Sequence, residues 1–203
     1  MHSTSSPRLA IQRRRAFDSA AKTGLTSEEN MDREPSEVTN LDCYGNAALP
    51  WSRARDILVA TPSQPGTTFI LGTSRPDGRP HAASVGVFWH DGDLYFTSGL
   101  GTRKSRNLAA NPASTVSVGL TGIDLVLEGD ATIVTNRATL ERVAAMARDG
   151  GWPAEVEGEA LTAPFSAPSA GPPPWYLYRF TFHTAFGVAT AEPWGATRWR
   201  FSS

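Results

Sequence analysis

Apolar positions along this chain fall into short alternating runs separated by turn residues, the pattern of an antiparallel sheet. Thr67 to Ser74 carries Phe69, Ile70 and Leu71, and Pro80 to Trp89 reads as the strand that returns after Arg75-Pro76-Asp77-Gly78-Arg79. In that turn Pro76 presets φ and Gly78 accepts a positive one. His90-Asp91-Gly92-Asp93 is a second tight turn, followed by a strand over Leu94 to Ser98. Thr115 to Leu120, Asp124 to Val134, Tyr176 to Val188 and Thr197 to Phe201 continue the series.

Three segments carry helical spacing instead. Pro50 precedes Trp51 to Ala60, where Trp51, Ala54, Ile57 and Leu58 share a face. Thr102 to Ala110 is stopped by Asn111-Pro112, because the residue before proline avoids helical φ and ψ. Asn136 caps a helix to about Arg148, which Asp149-Gly150-Gly151 closes. Many short strands and few helices predict a mainly β fold, an antiparallel barrel with covering helices. No glycine-rich dinucleotide fingerprint is present. Residues 1–38 read as a disordered tail and 39–203 as one domain. Thr162 to Pro174, rich in Pro, Ala, Ser and Gly, reads as a long loop or lid.

Composition narrows the function classes. A net charge of -1 gives no broad electrostatic attraction to nucleic acid or to an anionic membrane. No apolar run is long enough to span a bilayer. Cys43 is the single cysteine, so no internal disulfide forms and the reducing cytoplasm is expected. Arg13-Arg14-Arg15-Ala16-Phe17 resembles a twin-arginine signal, but Asp18 to Asn30 is polar where an apolar stretch is needed, and export is not expected.

The chemistry concentrates where the strand Leu94-Tyr95-Phe96-Thr97-Ser98 passes through Gly99-Leu100-Gly101 into Thr102-Arg103-Lys104-Ser105-Arg106. Helix starts expose unpaired N–H groups and partial positive charge. Cations in a first turn oppose that dipole, so local helix stability does not explain Arg103 and Lys104; an anion would. Backbone amides, an Arg fork and a Lys point charge make a phosphate cradle, which Thr97, Ser98 and Thr102 can also reach. On spacing alone the alternative is a solvated basic turn.

This stretch resembles the cofactor segment of the pyridoxamine-phosphate oxidase superfamily, the flavin and deazaflavin split barrels. Phe96-Thr97, Gly101, Thr102-Arg103-Lys104 and Asn111-Pro112 match its pattern in order and spacing, supported by Asp77-Gly78-Arg79-Pro80 and Leu125-Val126-Leu127-Glu128-Gly129. The resemblance covers roughly residues 40–201. It implies an antiparallel six-stranded split β-barrel and a homodimer with the cofactor at the interface. It also implies phosphate binding by Arg103 and Lys104, a strand-end contact from Phe96 and Thr97, and ring contacts from Ser84, Val85 and Gly86. Two basic positions of the oxidase proper fall at Ala83 and Phe88, so vitamer oxidation is not expected. The ending Ala196-Thr197-Arg198-Trp199-Arg200-Phe201 is more similar to actinobacterial split barrels that use coenzyme F420. The cofactor is therefore FMN or F420, with Arg106 placed to meet an anionic tail and Arg53 and Arg55 as weaker candidates. Arg198 and Trp199 join the site because the family places the C-terminal end near the cofactor.

The expected function is an oxidoreductase moving hydride to or from a small organic substrate. A non-catalytic flavin carrier or sensor is the alternative, since no side chain stands out as a proton donor. A haem-binding split barrel is a third reading, with no evident axial histidine. His2, His81, His90 and His183 show no metal-ligand spacing, so no metal site is expected.

Overall fold

The computed structural model describes residues 33–61, 66–166 and 171–202. Its elements, in chain order, are β1 (Glu37–Asn40), α1 (Trp51–Ala60), β2 (Phe69–Ser74), β3 (Pro80–Val85), β4 (Val87–His90), β5 (Asp93–Ser98), α2 (Arg103–Ala110), β6 (Ala113–Leu120), β7 (Ile123–Ile133), α3 (Arg137–Asp149), β8 (Glu155–Glu157), β9 (Ala160–Thr162), β10 (Tyr176–Ala189) and β11 (Ala196–Arg200).

Every strand pairing in the main sheet is antiparallel. The run Pro80 to Trp89, expected as one strand, breaks at Gly86 into β3, which pairs with β2, and β4, which pairs with β5. β5 joins the first half of β10, β10 joins β7, β7 joins β6, and β6 joins β2. The pairings thus close a ring of six strands when β3 and β4 count as one bent strand. The full count exceeds the expected six: β11 and β1 extend the sheet from the second half of β10, and β8 and β9 form a separate hairpin.

Alternation along the strands builds the interior. The inward row Leu71, Val116, Leu127, Ala185 and Trp199 lies at successive cross-strand positions, and all five are buried. α1 covers this core with Trp51, Ala54 and Leu58. A second cluster forms where α3 lays Leu140, Val143, Ala144 and Ala147 against Tyr95 and Leu177.

Part of the segment read as a tail is folded. Residues 1–32, which include the arginine run, lie outside the described residues, but Arg33 to Val38 belong to the folded body. Val38 enters β1 opposite Trp199, and Arg33 donates to the buried carboxylate of Asp93 at 3.2 Å. Asp93 also accepts from Arg179 and from the Thr181 hydroxyl. Arg33 sits over the Phe182 and Phe201 rings, 5.0 and 5.5 Å from their centroids. The sequence reading missed this role because a lone arginine in polar surroundings carries no periodic signal.

Candidate functional site

β5 and α2 are joined by a tight connection, and three hydroxyls fasten it. Ser98 and Thr102 share a hydrogen bond of 2.8 Å, Ser105 donates to Ser98 at 2.9 Å, and the Thr102 hydroxyl caps the helix by accepting from the Ser105 N–H. Tyr178, buried on β10, stacks on Phe96 with ring centroids 5.2 Å apart. Asn107 donates to Thr73 Oγ1 at 2.9 Å and ties the helix to β2.

A cavity of about 560 Å³ opens between this helix start and the free edge of β3. Its lining is His81, Ala83, Ser84, Gly101, Thr102, Arg103 and Lys104, with no carboxylate among them. Lys104 is 7% exposed. No ion pair holds it among the described residues, and burial pushes its ammonium pKa down. A buried charge without a partner is costly, so such a group either neutralises or receives a counter-charge from outside. Arg103 lines the same space, at a helix start whose first N–H groups lack intrahelical acceptors. The residues fit a bound phosphate.

The structure brings together Thr102, Arg103, Lys104 and Ser84 from the expected site. Ser98 supports them through hydrogen bonds while itself fully buried. The other candidates lie elsewhere. Phe96 is buried against Tyr178 in the core, and Thr97 lies opposite Leu177 within the sheet. Val85 packs on the core, and Gly86 is the strand break; neither lines the cavity. Arg106 folds onto the Gly101 carbonyl at 3.0 Å. Arg53 binds the carbonyls of Gly122, Ala191 and Pro193, and Arg55 pairs with Glu34 and Asp56, so both act as loop ties. Arg198 reaches Thr39 and Glu37 across the β11–β1 pair. Trp199 is fully buried and donates its indole N–H to the Leu49 carbonyl, so within its own chain it is a core residue. None of the described residues of the 162–174 loop lines the cavity; its base is fixed by paired backbone bonds between Leu161 and Trp175.

Sequence reasoning passed over Arg75 and gave His81 no place in the cradle. His81 lines the cavity, which corrects the expectation that no histidine stands near it. Arg75, at the end of β2, is close enough to bear electrostatically on His81, and its Nε is buried without a partner. Alternation along β3 places His81 and Ala83 on one face, a signal available in the sequence.

A basic cavity at a strand-to-helix start, on the edge of a ring of six antiparallel strands, defines a split β-barrel class. The family profile Pyridoxamine 5'-phosphate oxidase matches residues 56–189. The chain belongs to that family. Its fold is similar to a pyridoxamine 5'-phosphate oxidase-related, FMN binding protein from Nostoc punctiforme PCC 73102, at 19% identity, covering 75% of this chain and 91% of that one, with a TM-score of 0.51. It is similar also to a protein related to general stress protein 26 from Clostridium acetobutylicum, at 15% identity, covering 73% and 92%, with a TM-score of 0.52. An F420 reductase matches at 21% identity over 58% and 87%, with a TM-score of 0.42, too low to carry an argument. No curated protein matches the chain significantly. Among the described residues no helix is long and apolar enough to cross a membrane, and no group of three or more His, Cys, Asp or Glu is placed to hold a metal ion.

Proposed function

We propose that this protein is an oxidoreductase that holds a phosphorylated flavin-type cofactor, FMN or coenzyme F420, in the cavity beneath α2. The observation that carries this reading is Lys104: a side chain only 7% exposed, with no ion pair among the described residues, that lines a cavity together with Arg103, His81 and the hydroxyl residues Ser84 and Thr102. When bound, the cofactor supplies hydride exchange with a small organic substrate. Arg103, Lys104 and the first-turn amides hold its phosphate. The edge of β3, which pairs only with β2, leaves alternate backbone groups free to orient the ring at Ser84. Ala83 lines the cavity and Phe88 stacks on Trp152, so neither supplies the basic group of the vitamer oxidase.

The functional unit in this reading is a homodimer. One outward-facing cross-strand row runs Ser84, Ile70, Ser117, Val126, Phe186 and Arg198, exposed at Ser84 and Val126 and half-buried at the others, so a partly apolar row starts at the lip of the cavity. Val126 and Val188 on this face are 38% and 54% exposed. A second copy packed there covers the row and closes the cavity from the open side.

Titration of the purified protein with FMN and with F420, followed by desalting and an absorbance spectrum, tests the cofactor. Micromolar binding of either one, lost in the Arg103→Ala, Lys104→Ala double variant, is expected. Unchanged affinity in that variant overturns the cradle, and a Soret band on adding haem favours the haem-binding alternative with His81 as ligand. The lining offers no carboxylic acid, which favours a carrier as the second reading. Turnover of reduced cofactor against a panel of enones and quinones separates enzyme from carrier.

A further inference from the structure

The reading above leaves His81 without a task, although it is the one lining residue that ionises near neutrality. It lies opposite Thr73 on β2, and Thr73 is bound by Asn107 of α2. Residues directly opposite on paired strands share a face, so the imidazole lies on the side of the sheet that α2 covers. The charged groups that bear on it are Arg75 from the end of β2 and Arg103 and Lys104 from α2; Asp77 in the neighbouring turn is taken by Arg79 at 2.6 Å.

Burial first, then the charges of Arg75, Arg103 and Lys104, hold the His81 pKa below the ordinary histidine range. Three cations nearby, and no carboxylate in the lining, disfavour the protonated imidazole. A bound anion offsets those charges and makes a fourth cation favourable.

We propose that His81 is a third ligand of the anion, closing the cradle from the strand side, and that anion binding is coupled to uptake of a solvent proton by its imidazole. The ligand class is a phosphate- or sulfate-type group. The inference rests on the cradle reading of Arg103 and Lys104. Its consequence is that the site grips more tightly as pH falls, by at most about tenfold per pH unit for a single coupled proton.

Sulfate is the suitable probe, because it does not ionise over the range where histidine does. The full chain, with histidine labelled for NMR, is titrated with pH in the absence of sulfate and at saturating sulfate, at constant ionic strength. The His81 resonances are assigned with His81→Asn. The expected result is a rise of the His81 pKa on sulfate binding. Sulfate affinity should also be roughly threefold to tenfold higher at pH 5.5 than at pH 8.0. His81→Asn and His81→Gln should lose the pH dependence, binding sulfate no more tightly at pH 5.5 than at pH 8.0. An unmoved His81 pKa at saturation, or a pH dependence that survives in both variants, overturns the proposal. If sulfate binds at pH 8.0 but is indifferent to the Arg103→Ala, Lys104→Ala double variant, the cradle reading itself fails. If the double variant abolishes binding while His81 does not respond, only the inference about His81 fails.

Discussion

The amide of Asn107 donates to the hydroxyl of Thr73 at 2.9 Å, and both residues are buried. This bond sets the height of α2 over the sheet, and with it the position of Lys104 one turn earlier. Asn107→Leu leaves Thr73 without its donor. Thermal unfolding should show a loss of about 1–3 kcal/mol, and phosphate affinity should fall even in the folded fraction.

Lys104→Met removes a buried cation and keeps the length of the side chain. The empty protein should gain roughly 1 kcal/mol in denaturant unfolding while FMN and F420 retention is lost. A variant that is less stable and still binds would show that the ammonium has a structural partner.

His81 couples stability to pH in the empty protein. Its folded pKa lies below the unfolded value, so the unfolded chain binds more protons as pH falls through about 6.5. Its contribution is therefore complete above that pH and is lost below it. His81→Asn should flatten this part of the stability profile measured by urea unfolding between pH 5 and 8.

At Gly129 a Cβ would meet the Thr181 carbonyl oxygen and the Phe182 Cα at 2.1 and 2.6 Å. Both contacts are backbone, next to the register shift in β10 between Phe182 and Thr184. Gly129→Ala should cost about 2–4 kcal/mol or prevent folding, as judged by circular dichroism.

Val126→Asp places a charge in the centre of the partly apolar row. Sedimentation should show a dimer for the parent chain and a monomer for the variant, with cofactor retention lost alongside.

Much of the fold was legible because alternation and turn chemistry agree. His90 to Asp93 is the clearest turn: Asp91 and Gly92 take φ of 50° and 76°, and His90 pairs with Asp93. The helix with Trp51, Ala54 and Leu58 inward followed from its period. The split at Gly86 was hidden, because a glycine between two valines does not reveal that its two sides pair with different strands. β1, β8 and β9 are too short to leave a pattern. In the site, Arg103 and Lys104 were found from a charge pattern that opposes the helix dipole. Lys104 carried a second signal, standing four residues before Leu108 in the stripe that α2 buries. Trp199 was misplaced because the family pattern concerns the end of the chain. The pairing Ala185 to Trp199 decides which side that tryptophan takes. Alternation along β3 pairs His81 with Ala83, but that this face meets the start of α2, with Arg75 nearby, follows only from the fold of the hairpin.

β3 has one strand neighbour, and its other margin borders the cavity. An uncovered margin of this kind is a template for a foreign strand. In the proposed function a ligand lodged there would shield it, so its occupancy would govern colloidal behaviour as well as chemistry. Protein stripped of its ligand should scatter light on storage at concentrations where the loaded form stays clear.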